Sequence, residues 1–186
     1  PYGIGLWPAF WMLGADYTTN AWPACGEIDI MENKGYQPNI VSSALHMPGR
    51  SGGNPVTSTF GYPDQRFDTD FHVFAVEWDK EKIDFIVDGT LYHRVEKSAV
   101  TDGEWKFDHP FFIILNVAVG GTFGGNPTDN TYFPQSMYVD YVRVYQKESD
   151  IDPSANYGDI PSGGLVNEWD FNGEDSDKGL LEPDRK

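Results

Sequence analysis

Three carboxyl groups crowd into Glu27-Ile28-Asp29-Ile30-Met31-Glu32. Side chains alternate between the faces of a strand, so Glu27 and Asp29 share one face while Ile28 and Ile30 point to the other. Strict alternation sends Glu32 to the apolar face, where an unpaired charge is costly. One extra residue near Met31, a β-bulge, resets the phase and returns Glu32 to the side of Glu27 and Asp29. Retaining hydrolysis of a glycosidic bond needs two carboxyls roughly 5–5.5 Å apart. One attacks the anomeric carbon; the other protonates the leaving oxygen and then activates water. Crowding raises the pKa of one of them, and an Asp between the two can hydrogen-bond the nucleophile. The hexapeptide alone fits equally well a strand with an acidic, solvated face.

Other side chains could serve such a site. Trp7, Trp11 and Trp22 offer flat apolar surfaces of the kind that cover the C–H faces of sugar rings. Trp7 and Trp11 share a strand face by parity; Trp78 reads as core. His46 lies inside an apparent strand, where a lone histidine is usually structural. Asn116 interrupts an apolar run, so its amide needs partners if buried. It fits a contact to substrate or to a carboxylate and, nearly as well, a structural amide. Cys25 has no matching histidine base and reads as packing beneath the site. The histidines at 46, 72, 93 and 109 lack zinc-ligand spacing. The glycines at 120, 121, 124 and 125 lack the Lys-Ser/Thr of a phosphate loop.

The elements that must hold these residues are strands. Short apolar or alternating runs broken by Gly, Pro, Asn and Asp predict strands at 6–13, 27–33, 41–47, 71–78, 82–87, 91–95, 111–119 and 137–146. Asp88-Gly89 marks a hairpin turn, because glycine tolerates positive φ. The run 111–119 is the most apolar and is expected at the centre of a sheet. This spacing predicts a β-sandwich or jelly roll. After Gln146 the composition turns polar. Residues 148–163 read as a linker, and 164–186 as the start of a second domain. Within the linker, Asp150-x-Asp152-x-Ser154-x-Asn156 has the rhythm of a calcium loop, but Ala155 replaces the turn glycine and Pro161 the bidentate Glu.

The 186 residues carry a net charge of -16, which repels nucleic acids and anionic membranes but not a neutral polymer. With one cysteine no intrachain disulfide forms. No signal peptide is visible, no apolar run reaches membrane-spanning length, and the chain does not open on Met.

Gly5-Leu-Trp-Pro-Ala-Phe-Trp-Met-Leu-Gly14 and Trp22-Pro-Ala-Cys-Gly-Glu-Ile-Asp-Ile-Met-Glu-Asn33 closely resemble family 16 glycoside hydrolases, in particular their laminarinase-like endo-β-1,3-glucanases. Ala44-Leu-His46, Ile83 to Gly89, Phe111 to Gly121 and Tyr138 to Gln146 agree in order, so the likeness covers residues 1–147. It implies an all-β, concanavalin-like jelly roll with a concave substrate cleft. It also implies that residues 1–147 form a catalytic domain lacking the family's N-terminal strands, and an isolated chain of low stability. By the same resemblance Glu27 is the nucleophile, Glu32 the general acid/base and Asp29 the assisting residue. The inserted Met31 resembles the bulged motif of the β-1,3 branch. Trp22 matches a cleft tryptophan, and His46 a hydrogen-bond donor near the acids. Phe123 stands where the family usually shows Trp. Asp140 resembles an aspartate of a structural calcium site, the one metal implied; catalysis needs no cofactor. The implied partner is extracellular, cell-surface or periplasmic β-glucan, cut by a protein that is monomeric when complete. The alternatives on this fold are a glucan-binding protein without catalysis, against which the three acids count, and an agarase or carrageenase. The segment 165–173 looks similar to the opening of a laminin-G-like or carbohydrate-binding domain and, more faintly, to the family's first strand.

Overall fold

The computed structural model describes residues 1–147 together with the backbone of 165–170. Its compact units are Pro1–Met137 and Tyr138–Lys186. The first unit holds eight strands: β1 (Leu6–Gly14), β2 (Glu27–Asn33), β3 (Ile40–His46), β4 (Val56–Gly61), β5 (Phe74–Trp78), β6 (Lys82–Val87), β7 (Thr90–Glu96) and β8 (Phe111–Val119). Lys97–Ala99 adds one short 3-10 turn. A five-stranded antiparallel sheet runs in the order β4-β3-β2-β1-β8, and a three-stranded one in the order β5-β6-β7. The second unit contains β9 (Tyr141–Tyr145), paired antiparallel with β10 (Leu165–Asp170).

The pattern of apolar residues explains the two layers. Met12, Ile28, Ile30, Leu45 and Met47 from one sheet meet Ile83, Phe85 and Val95 from the other, with Phe107 between them. Met31 and Val41 extend this contact to Val87. Each such side chain contributes about 1.5–3 kcal/mol by leaving water. The β6–β7 connection is the two-residue turn expected at Asp88-Gly89, with φ of 48° and 78°. The Asp88 carboxylate secures this corner through His72 Nδ1 at 2.8 Å, the Tyr62 hydroxyl at 2.9 Å and the Val73 N–H at 2.8 Å.

Three expectations change. Strand β8 lies at the edge beside β1 among the described residues, not at the centre. None of its residues is fully buried: Phe112 tilts against Tyr17 on one face, and Ile113 packs against the core on the other. Trp78 is 41% exposed and not core, since it ends the edge strand β5. Strand β4, Val-Thr-Ser-Thr-Phe-Gly, was absent from the sequence reading because it is a polar edge strand. Strand β9 hydrogen-bonds to β10, and the two strands fall in the second compact unit. The expected linker 148–163 and residues 171–186 lie outside the described residues.

Candidate active site

Strand register builds the site. Glu27, Asp29 and Glu32 of β2 stand opposite Leu13, Trp11 and Ala9 of β1. On the other side they face His46, Ala44 and Ser42 of β3. Between Asp29 and Glu32, Ile30 and Met31 together oppose the single residue Ser43. This is the expected bulge, and it has the expected effect. Ile30 and Met31 both pack into the core, and all three acids emerge on one face. Trp7 and Trp11 share that face. So do Ile114, Asn116 and Ala118 of β8, which pair with Trp11, Ala9 and Trp7.

Four residues of β1 separate the partners of Glu27 and Glu32, so their Cα atoms lie roughly 13 Å apart along the strand. Asp29 stands between them on the same face. Asp29 itself is buried. Its Oδ2 makes no hydrogen bond, although His46 Nε2 lies 3.2 Å away. The same nitrogen lies 3.6 Å from Glu27 Oε1.

The indole N–H groups make contacts that residue type alone does not reveal. Trp7 Nε1 donates to Glu32 Oε1 at 3.1 Å. Trp22 stands by Glu27, where its N–H favours the ionised carboxylate. Trp11 Nε1 donates instead to Asn116 Oδ1 at 2.8 Å, so this pair satisfies itself and brings no polar atom to the acids. Trp22 is the most open of the three at 46% exposure, with its ring 5.7 Å from that of His46. Trp7 packs against Phe123, whose ring also lies under the Lys34 ammonium.

Burial and mutual repulsion dominate the acid–base behaviour. Burial, then the Asp29 charge, pushes Glu27 up to about 7, against the pull of His46 and the Trp22 N–H. Burial raises Asp29 to about 7, offset by its hydrogen bond with Glu27. Burial, Asp29 and Glu27 push Glu32 up to about 8, against His46 and the Trp7 N–H. The cluster therefore holds protons at neutral pH and titrates as a unit. Glu32, the highest, is suited to donate a proton, and Glu27 to act as the ionised partner.

Glu27, Asp29 and His46 place donor atoms within 4.8 Å of one another, close enough to share a cation. The histidine argues against that use. The Gly52 N–H donates to His46 Nδ1 at 3.2 Å, so the lone pair sits on Nδ1 and the proton on Nε2. A metal-ligating imidazole has the opposite arrangement, with its far nitrogen donating. Asp140 is exposed and belongs to no cluster of three metal-ligating side chains among the described residues. These residues alone do not supply the six to eight oxygens that calcium takes. Cys25 is fully buried, as its packing role requires.

An acid triad on a bulged strand, in the five-stranded sheet of a two-layered β fold, defines a class of sugar-cleaving protein. The chain belongs to the glycosyl hydrolases family 16, whose family model matches residues 1–143. It is 43% identical over 156 residues to a beta-glucanase of Rhodothermus marinus, covering 78% of this chain and 54% of that protein. It is 40% identical over 160 residues to glucan endo-1,3-beta-glucosidase A1 of Niallia circulans, covering 80% of this chain and 23% of that protein. Among solved structures, the laminarinase catalytic domain from Thermotoga petrophila matches with a TM-score of 0.70 at 47% identity, over 72% of this chain and 54% of that one. The chain thus spans about half the length, or less, of the relatives it matches.

Proposed function

We propose that this chain carries the catalytic strand of an endo-acting, retaining β-1,3-glucanase whose substrate is a laminarin-like polymer. The observation that carries this reading is the bulge at Ile30-Met31, which gathers Glu27, Asp29 and Glu32 on one face with raised pKa values. The relatives bearing β-1,3-glucanase and laminarinase names support the linkage.

In this mechanism the ionised Glu27 attacks the anomeric carbon and forms a glycosyl ester as the bond to the leaving oxygen breaks. Glu32 gives that oxygen its proton. Water then enters, loses a proton to Glu32 and displaces Glu27, so two inversions leave the anomeric configuration unchanged. Asp29 shares a proton with Glu27 in the resting site and releases the nucleophile as the substrate approaches. Trp22 and Trp7 hold the two glutamates apart and aligned. No cofactor enters any step. All three acids come from one strand of one chain, which supports an enzyme that needs no second subunit to complete its site. A glucan polymer is met outside the cytoplasm, and there we place the enzyme: secreted, at the cell surface or in the periplasm.

The test is Glu27→Gln in the intact protein with laminarin as substrate. Loss of reducing-sugar release is expected, and release near the parent rate would refute the assignment. A panel containing agarose and a keratan-type polymer decides the sugar, because a keratan-sulfate endo-1,4-beta-galactosidase of Sphingobacterium multivorum is also 35% identical over 172 residues.

A further inference from the structure

Beyond the acids, the strongest unassigned feature is the loop that follows His46. Residues 47–55 form a tight excursion between β3 and β4. The Met47 and Arg50 backbones exchange hydrogen bonds at 2.8 and 2.9 Å, and the Asn54 N–H returns to the Ser51 carbonyl at 3.1 Å. The loop leans on residues 102–104, where the Glu104 N–H donates to the Pro48 carbonyl at 2.8 Å. Gly49 is held so close that a Cβ there would lie 2.5 Å from the Asp102 carbonyl oxygen, at a φ of +88°.

One side chain ties this loop together. Arg50 Nε donates to the Asn54 carbonyl at 3.0 Å and Nη2 to the Pro55 carbonyl at 2.9 Å. Its third arm reaches both oxygens of Asp102 at 3.1 and 3.0 Å. Asp102 is largely exposed, so that ion pair adds little by itself. The carbonyl bonds use the rigid fork of the guanidinium, which lysine does not reproduce. Inside the span that Arg50 clamps lies Gly52, whose N–H meets His46 Nδ1 at 3.2 Å.

The direction of that bond has a chemical consequence. A backbone N–H can only donate, so it selects the imidazole tautomer with its proton on Nε2. The nitrogen that carries it lies 3.2 Å from Asp29 Oδ2 and 3.6 Å from Glu27 Oε1. In the other tautomer two N–H groups would oppose each other at Nδ1, and a lone pair would face two carboxylates at Nε2.

We propose that Arg50 is a positioning residue for the acid cluster, acting through the 47–55 loop to hold His46 as an Nε2–H donor. The proposal rests on the catalytic reading for its effect on rate, but not for its effect on the ring. Residues 49–54 contain three glycines, and the guanidinium is the side chain that joins the Asn54 and Pro55 carbonyls to the start of the span holding the Gly52 N–H.

The test is histidine-selective 15N labelling of the intact protein, with the ring nitrogens of His46 observed by NMR. In the parent, Nδ1 should resonate as unprotonated and Nε2 as protonated. In Arg50→Met the two resonances should move towards each other as the tautomers mix. The kcat on laminarin should fall about tenfold, the equivalent of one hydrogen bond, with KM little changed. Arg50→Lys should fall between the two and replaces Arg50→Met should the latter not fold. A parent His46 protonated on Nδ1 would overturn the proposal, as would Arg50 variants with the parent's nitrogen shifts. A protein inactive on every glucan would refute the catalytic reading instead, and the tautomer result would stand apart from it.

Discussion

Trp7→Phe separates two roles that its indole could play. Phenylalanine keeps an aromatic face against Phe123 and loses only the N–H that reaches Glu32 Oε1 at 3.1 Å. A hydrogen bond to an ionised group is worth about 1.5–3 kcal/mol, or roughly one to two pKa units. The N–H stabilises the carboxylate and so holds the pKa of Glu32 down. Without it, that pKa should rise further above its present value of about 8. A general acid must be protonated when substrate binds, so the basic limb of the kcat/KM profile should move to higher pH by about one to two units. The acidic limb, set by Glu27, should stay in place. The assay is initial-rate hydrolysis of a soluble laminari-oligosaccharide across the pH range. If Trp7 were only a sugar platform, KM would rise and neither limb would move. That result, or a basic limb moving downwards, would refute the reasoning.

Deleting Met31 removes the two-against-one step opposite Ser43 and turns Glu32 towards the core. Burying that group without a partner costs roughly 2–7 kcal/mol, so hydrolysis should vanish and the melting temperature drop, as read by calorimetry and reducing-sugar release. Glu32→Gln should abolish activity yet stabilise the fold at high pH. Glu32 has a folded pKa raised from 4.5 to about 8, so the folded state holds a proton that the unfolded chain has released. The stability of the parent should therefore fall as pH rises through that window. The variant should lose this contribution to the slope, and melting temperatures measured from pH 5 to 8 would show it. Identical slopes in the two proteins would contradict the burial of Glu32.

Much of this site could be read from residue order, and the remainder has identifiable physical reasons. Strand β2 was legible because Ile28 and Ile30 alternate with acids. Its bulge was legible because the alternative was a charge in the core. The Asp88-Gly89 turn followed from φ alone. Strand β8 was misplaced because an apolar run does not record position within a sheet: its residues are half-buried or exposed at an edge. Strand β4 was missed because Thr57 and Thr59 face the open side of an edge strand, where no apolar pattern is needed. The tryptophans were harder. Their types suggested flat surfaces, but where an indole N–H points depends on register across β1, β2 and β8, which no single segment encodes. Gly52 and Arg50 were invisible for a related reason. The functional atom is a backbone N–H, and the guanidinium acts on carbonyls whose residue types carry no signal.

The central claim is that Glu27 bonds to the sugar and Glu32 moves the proton. Incubating the intact protein with an activated 2-fluoro laminaribiosyl donor should slow the second displacement enough to trap the glycosyl enzyme. Peptide mass spectrometry should then find one sugar esterified to Glu27. A label on Glu32 would contradict the account, as would an unlabelled enzyme that releases product of inverted anomeric configuration.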